Sequence, residues 1–156
     1  MTNRIETLRN YIDKVILNVS DHEERRIAYV HLYGVSYFCT LIALRRGEDA
    51  ELATMAGMLH DIYTYKCSYS IDHAEKGAVL AREVLTELQI TSPAETDLIC
   101  SAIHNHSDKS GTYSAFDEVL IDADVIQHCL YDFTKPIAEH EKERFGKLVK
   151  EFELKI

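Results

Sequence analysis

Apolar residues recur three and four positions apart almost from end to end of this chain, and no alternation of apolar and polar residues lasts long enough to make a strand. This spacing gathers the apolar side chains of each segment on one stripe, and such stripes are buried by packing helix against helix. The predicted fold is all-α, a single-domain helical bundle.

Start and stop signals divide the chain into about seven helical segments. The first runs from about Thr2 to Asn18, and the second from about Asp21 to Arg46, where Gly47 closes it. A short third segment, Asp49 to about Leu59, leads into a tyrosine-rich loop. Asp72-His-Ala-Glu75 reads as a capping box that opens a helix to about Leu88. Ser92-Pro-Ala-Glu95 repeats that logic, with Pro93 at the first helical position, and this helix ends at His106 or just short of it. The next runs from about Ser114 to Asp132, and Pro136 opens a last, charged and amphipathic helix to the C-terminus. With no internal repeat, low-complexity tract or linker, residues 1–156 are expected to form one domain, large enough to bury roughly two-thirds of its unfolded surface.

A formal charge of −9 argues against a polymeric nucleic-acid partner, because tracking a phosphate backbone needs a Lys/Arg face. Cys39, Cys67, Cys100 and Cys129 lie far apart without CxxC spacing and are read as buried thiols in a reducing compartment. The first residues lack the apolar stretch of a signal peptide, and no apolar run approaches ~20 residues, so a cytoplasmic protein with no membrane partner is expected.

Several polar residues nevertheless fall on apolar helix faces. In "SAIHNHSDKSG", residues 101–111, side chains two apart point to nearly opposite sides of a helix. Ile99, Ala102 and Ile103 lie within about 60° of His106, whereas His104 lies about 160° away beside Asp97 and Ser101. His106 therefore faces the core and His104 faces out. The same construction places His31 among Ile27, Ala28, Val35, Phe38 and Ile42, and His73 beside Gly77, Leu80 and Val84. Asp124 shares a face with Leu120 and Ile121, while Asp122 points the other way. His60 and Asp61 close an apolar helix in "AGMLHDI", and a helix end at that place lets adjacent side chains converge.

Burying each of these groups without a partner costs several kcal/mol. One shared cation resolves all of them, since imidazole nitrogen and carboxylate oxygen are the usual ligands of zinc, iron and manganese. Helix bundles build metal sites from inward side chains in this way. Separate hydrogen bonds would need a separate buried partner at every position.

The ordered set His31, His60-Asp61 and Asp124 resembles the H…HD…D signature of the HD-domain metal-dependent phosphohydrolases, over about residues 22–132. "DHAEKGAVLA" and "AIHNHS" look like the further histidine motifs of the binuclear branch, which includes symmetrical diadenosine tetraphosphate hydrolases and cyclic-di-GMP phosphodiesterases. The resemblance implies that His31, His60, Asp61 and Asp124 hold a first metal, and that Asp61 bridges to a second held by His73 and His106. Two ions are implied, iron or manganese first, with zinc, nickel or magnesium as the remaining candidates. Where the family commonly has a lysine three residues after the HD aspartate, this chain has Thr64, with Lys66 the nearest substitute. "SGTYSAF" replaces the glycine-tyrosine-proline element of the cyclic-di-GMP enzymes, which disfavours that substrate.

The implied activity is hydrolysis of a phosphoester or phosphoanhydride in a nucleotide or dinucleoside polyphosphate, by water whose pKa the metals lower toward neutrality. Asp61 is the expected catalytic bridge, with Lys66 and Lys109 as candidates to hold phosphate oxygens. Tyr63, Tyr65 and Tyr69 are placed to stack on a base or to pack their loop. His128 reads as core or as a support to a ligand carboxylate, and His22 and His140 as surface. Two other readings are carried: a di-iron oxygenase on the same ligands, and a metal-containing regulatory module with little turnover. Exposed apolar edges of the first and last helices suggest a homodimer.

Overall fold

The computed structural model describes residues 3–156. Among them are eight α-helices: α1 Arg4–Leu17, α2 His22–Arg46, α3 Ala50–Leu59, α4 Ile62–Cys67, α5 His73–Leu88, α6 Pro93–Asn105, α7 Ala115–Tyr131 and α8 Lys142–Glu151. A 3-10 turn, Glu139–Glu141, precedes the last. The all-α bundle expected from the periodicity is what forms.

Capping chemistry sets most boundaries. The side chains of Asn3, Asp21, Asp49 and Ser114 each accept from a backbone N–H three residues on, satisfying donors that a helix start leaves free. Ser92 and Glu95 form the reciprocal capping box, with Pro93 behind the cap. Gly47 ends α2 in the left-handed region at φ 77°, where a side chain would be strained.

Four expectations require correction. Asp72 does not cap α5: its backbone is left-handed, at φ 56°, its side chain accepts no hydrogen bond from the helix start, and His73 Nδ1 holds the turn at the Ser70 carbonyl instead. The tyrosine-rich loop contains α4, one and a half turns packed against α1 and α5. Pro136 does not open the last helix, which begins at Lys142 after the 3-10 turn has sent Glu141 inward. Cys67 is exposed at the end of α4, whereas Cys39, Cys100 and Cys129 are buried.

α2 is the spine of the bundle, lying along α3 on one side and α7 on the other, while α5 packs on α6 and α6 on α7. By length and composition α2 could cross a membrane, which the apolar-run reading missed, and 44% of its apolar window is buried inside the bundle. Leu32, Val35, Ile42, Met55, Leu59, Ile99 and Ile103 form the fully buried centre. α3 approaches α2 so closely that a Cβ on Gly57 would stand 2.6 Å from Ser36 Cα. Only glycine fits there, and this approach carries the end of α3, with His60, to within reach of His31 on α2.

Candidate metal centre

α3 stops at Leu59 and α4 starts at Ile62, so His60 and Asp61 occupy a break with Asp61 at φ −111°, ψ 13°. The break turns both side chains toward one place, which regular helix forbids. His31 from α2, His73 from the start of α5, His106 from the end of α6 and Asp124 from α7 meet them there.

Asp61 stands at the middle. Its Oδ2 lies 3.3 Å from His31 Nε2 and 3.7 Å from His60 Nε2, while its Oδ1 lies 3.4 Å from His106 Nε2 and 3.5 Å from His73 Nε2. Asp124 Oδ1 joins the first group, 3.7 Å from His31 Nε2 and 3.8 Å from His60 Nε2. His60 and His106 are buried, His31 and Asp124 nearly so, and His73 is half-buried at the rim. His104 is exposed and lies outside this set, as the helical wheel predicted.

Backbone carbonyls settle which ring nitrogen is free. Nδ1 of His60 donates to the Gly57 carbonyl at 2.7 Å, Nδ1 of His106 to the Ile103 carbonyl at 2.6 Å, and Nδ1 of His73 to the Ser70 carbonyl at 3.0 Å. His60 and His106 are the C-caps of α3 and α6, where helix ends leave carbonyls without intrahelical partners. His31 Nδ1 pairs with Gln127 Oε1 at 2.8 Å, with the amide oriented to accept. Each Nε2 is thereby left as a lone pair aimed at the centre, the orientation metal-binding histidines need.

Burial and the two carboxylates act on the rings in opposite senses. Burial pulls the His60 pKa down to about 3, so its imidazole is neutral near pH 7. Burial also pulls His31 down, but Asp61 and Asp124 outweigh it and leave its pKa raised. Burial pushes the Asp61 carboxyl up, yet His60, His106 and His31 hold it well below the ordinary range. Asp124 is likewise held low against burial, first by Lys109 and then by the histidines. Three buried side-chain oxygens among the described residues have no hydrogen-bond partner: Asp61 Oδ1, Asp124 Oδ1 and Asp117 Oδ1. The first two face the histidine nitrogens. Ionised carboxylates and imidazole lone pairs, converging with nothing to donate between them, fit a divalent cation.

The two lysines singled out in the sequence take different places. Lys66 donates to the Tyr11 hydroxyl of α1 at 3.0 Å and does not join the cluster. Lys109 does join it: its buried ammonium pairs with Asp124 Oδ2 and donates to the His106 carbonyl at 2.8 Å. Arg144 from α8 holds the loop that carries Lys109, through the carbonyls of Lys109 and Gly111 at 2.7 and 2.8 Å. Asp122, which points away from Asp124, is spent on Arg46 and Arg144. Asp117 anchors the end of α6 by accepting from Ser101 and Asn105.

His128 extends the cluster. Its ring stacks on His31 at 5.1 Å, and its Nε2 lies 3.4 Å from Asp124 Oδ1. Its Nδ1 pairs at 2.8 Å with Glu141, a buried carboxylate that sequence reasoning missed because it lies in a stretch read as a charged surface helix. A cleft of about 330 Å³ opens above this edge, walled by Ile27, Tyr65, Tyr131 and His128, with His31 and Asp61 at its floor. Three groups of potential ligand atoms thus meet, His31–His60–Asp61, Asp61–His73–His106 and His31–Asp124–His128.

Residues 28–145 match the family model of the HD domain. The chain belongs to the HD domain family. The fold is similar to the crystal structure of a predicted HD superfamily hydrolase from an uncultured Thermotogales bacterium, at 21% identity and a TM-score of 0.61, covering 92% of this chain and 88% of that one. The family match extends past residue 132, where the sequence motifs ended, and takes in Glu141 and Arg144. Family membership and the clustered ligands together make this HD protein a metal-dependent hydrolase of phosphohydrolase type, with a site for divalent metal.

Proposed function

We propose that this HD protein hydrolyses a phosphoester or phosphoanhydride bond of a nucleotide or dinucleoside polyphosphate at a two-metal centre. The observation that carries the reading is the division of Asp61, whose Oδ2 faces His31 and whose Oδ1 faces His106 and His73. One carboxylate shared by two histidine groups is the arrangement a bridged pair of cations requires. Such a pair, when bound, supplies Lewis acidity toward phosphoryl oxygens and a water acidified toward neutrality.

The chain's own residues set the geometry. His31, His60 and Asp124 would hold the first ion, His73 and His106 the second, and Asp61 both. Lys109 keeps Asp124 in place through Oδ2, which leaves Oδ1 to the centre. Gln127 and the helix-end carbonyls hold the rings so that little reorganisation is needed on binding. Tyr65, Tyr131 and Ile27 give the cleft an aromatic and apolar wall suited to a planar base, with His128 between that wall and the centre. Among the described residues no lysine or arginine lines this cleft, so the grip on phosphate would fall to bound metals and to His128. Iron or manganese best suits the mixed imidazole and carboxylate donors.

The test is hydrolysis of ATP, diadenosine tetraphosphate and a simple phosphomonoester, with product nucleotides and free phosphate resolved by ion-exchange chromatography and with Mn²⁺, Fe²⁺ and chelator controls. Hydrolysis of the nucleotides that stops with chelator and with His106→Ala is expected. Hydrolysis of the monoester alone would refute the nucleotide assignment, and oxygen uptake with no hydrolysis product would refute hydrolysis.

A further inference from the structure

The face of α2 that points away from the bundle is apolar along most of its length. Ile27, Val30, Tyr37, Leu41 and Leu44 are 43, 41, 61, 47 and 69% exposed, while Gly34, between Val30 and Tyr37, is packed under Gln127 of α7. The intervals are three, seven, four and three, which places all five within about 100° of arc on a stripe about 26 Å long. The exposed apolar edges expected on the first and last helices are nearly lacking: α8 carries none of the exposed large hydrophobics and α1 carries only Leu17 at its end.

We propose that the occupant of this face is α2 of a second copy of the chain, lying antiparallel across a twofold axis. Three observations select that occupant. First, the stripe is complementary to itself: antiparallel pairing sets Ile27 against Leu44 and Val30 against Leu41 of the second copy in a single register, with the two Tyr37 side chains near the twofold axis. Second, the first turn of α2 carries Glu23 and Glu24 and the last turn Arg45 and Arg46. Reversal of one helix brings Glu23 to within about one turn of Arg45 of the second copy and sets the two macrodipoles in opposition. Third, large side chains present ~150–250 Å² each, so five of them about half exposed contribute on the order of 100 Å² apiece. Two copies then cover on the order of 1,000 Å², the size at which a contact becomes specific. Ile27 also lines the mouth of the cleft, so the second copy would border the site without supplying a ligand.

Size-exclusion chromatography with light scattering on the full chain, at tens of micromolar, should give twice the mass of 17.9 kDa. Leu41→Glu with Leu44→Glu should return it to monomer with unchanged helical circular dichroism, weakening association at least about a hundredfold by burying four carboxylates. Register is read separately, in a Cys67→Ser background. Val30→Cys with Leu41→Cys should form covalent dimers on mild oxidation, whereas either cysteine alone should not. The two positions lie about 16 Å apart on one helix, too far for a bridge within a chain. A monomeric parent, or a dimer indifferent to the paired glutamates, overturns the proposal. So does a parent chain that stays monomeric and floats with anionic phospholipid vesicles, which would make the stripe a lipid-facing surface.

Discussion

The Nε2 atoms of His31 and His60 stand 2.9 Å apart, and each ring has already given its Nδ1 hydrogen elsewhere, to Gln127 and to the Gly57 carbonyl. Two Nε2 atoms therefore converge in a buried place beside two carboxylates, a donor set that the unfolded chain does not assemble, so metal should bind the folded chain far better than the unfolded one. At one hundred times the dissociation constant that is worth ~2.7 kcal/mol. In a domain of this size it corresponds to a melting temperature raised by roughly 5–10 °C. Thermal melts in chelator and in Mn²⁺ or Fe²⁺ measure it, and coincident melts would mean that these atoms are not a binding site.

How much of this was readable in the sequence follows from where the determining contacts lie. His106 could be told from His104 because a helical wheel uses only neighbours within two turns, and the same holds for His31 and Asp124. The caps at Asp21, Asp49, Ser92 and Ser114 were legible for the same reason: cap and donor are three residues apart. Lys66 misled because α4 was read as loop, and the direction of a side chain cannot be assigned without its helix. Glu141 was invisible because its burial depends on His128, thirteen positions earlier, and on a 3-10 turn between Pro136 and α8 that no local signal marks. Asp72 shows the opposite failure, a correct capping motif overridden by a left-handed backbone.

Asp61 touches both histidine groups, whereas His104 touches neither, so single substitutions should separate them. Asp61→Ala is expected to lose metal from both positions, and His104→Ala to retain the content of the parent chain. His106→Ala should fall between, losing up to half. Elemental analysis after purification in metal-supplemented buffer reads all three, and equal loss from the Asp61 and His104 variants would contradict the assignment of faces.

Lys109 and Asp124 form an ion pair whose side chains are only 7 and 6% exposed. Removal of one partner from such a pair leaves an unpaired buried charge at a cost of about 3–5 kcal/mol. Lys109→Met should therefore be strongly destabilised in chelator, and less so with metal bound, because the cation then neutralises Asp124. Urea unfolding of parent and variant in both conditions gives the two differences. If they are equal, the lysine and the metal do not share that carboxylate.

The C-terminal helix should respond to acid through Glu151. Its carboxyl is held below the ordinary range, chiefly by hydrogen bonds from Arg46 at 3.0 and 2.7 Å, with burial opposing. Because the folded pKa lies below the unfolded one, the unfolded chain takes up this proton first as the pH falls. The resulting stability is complete above the ordinary glutamate value of ~4.3 and is lost below it, through the lower folded value. Arg46→Met removes the partner, so Glu151 returns toward its ordinary pKa and the variant should lose less stability than the parent between about pH 5 and pH 3. Near neutrality the same variant should be weaker by about 1.5–3 kcal/mol, since Arg46 also donates to Asp122. Urea midpoints measured across that pH range test both statements, and curves that run parallel would show that the Arg46 to Glu151 contact does not set the acid response.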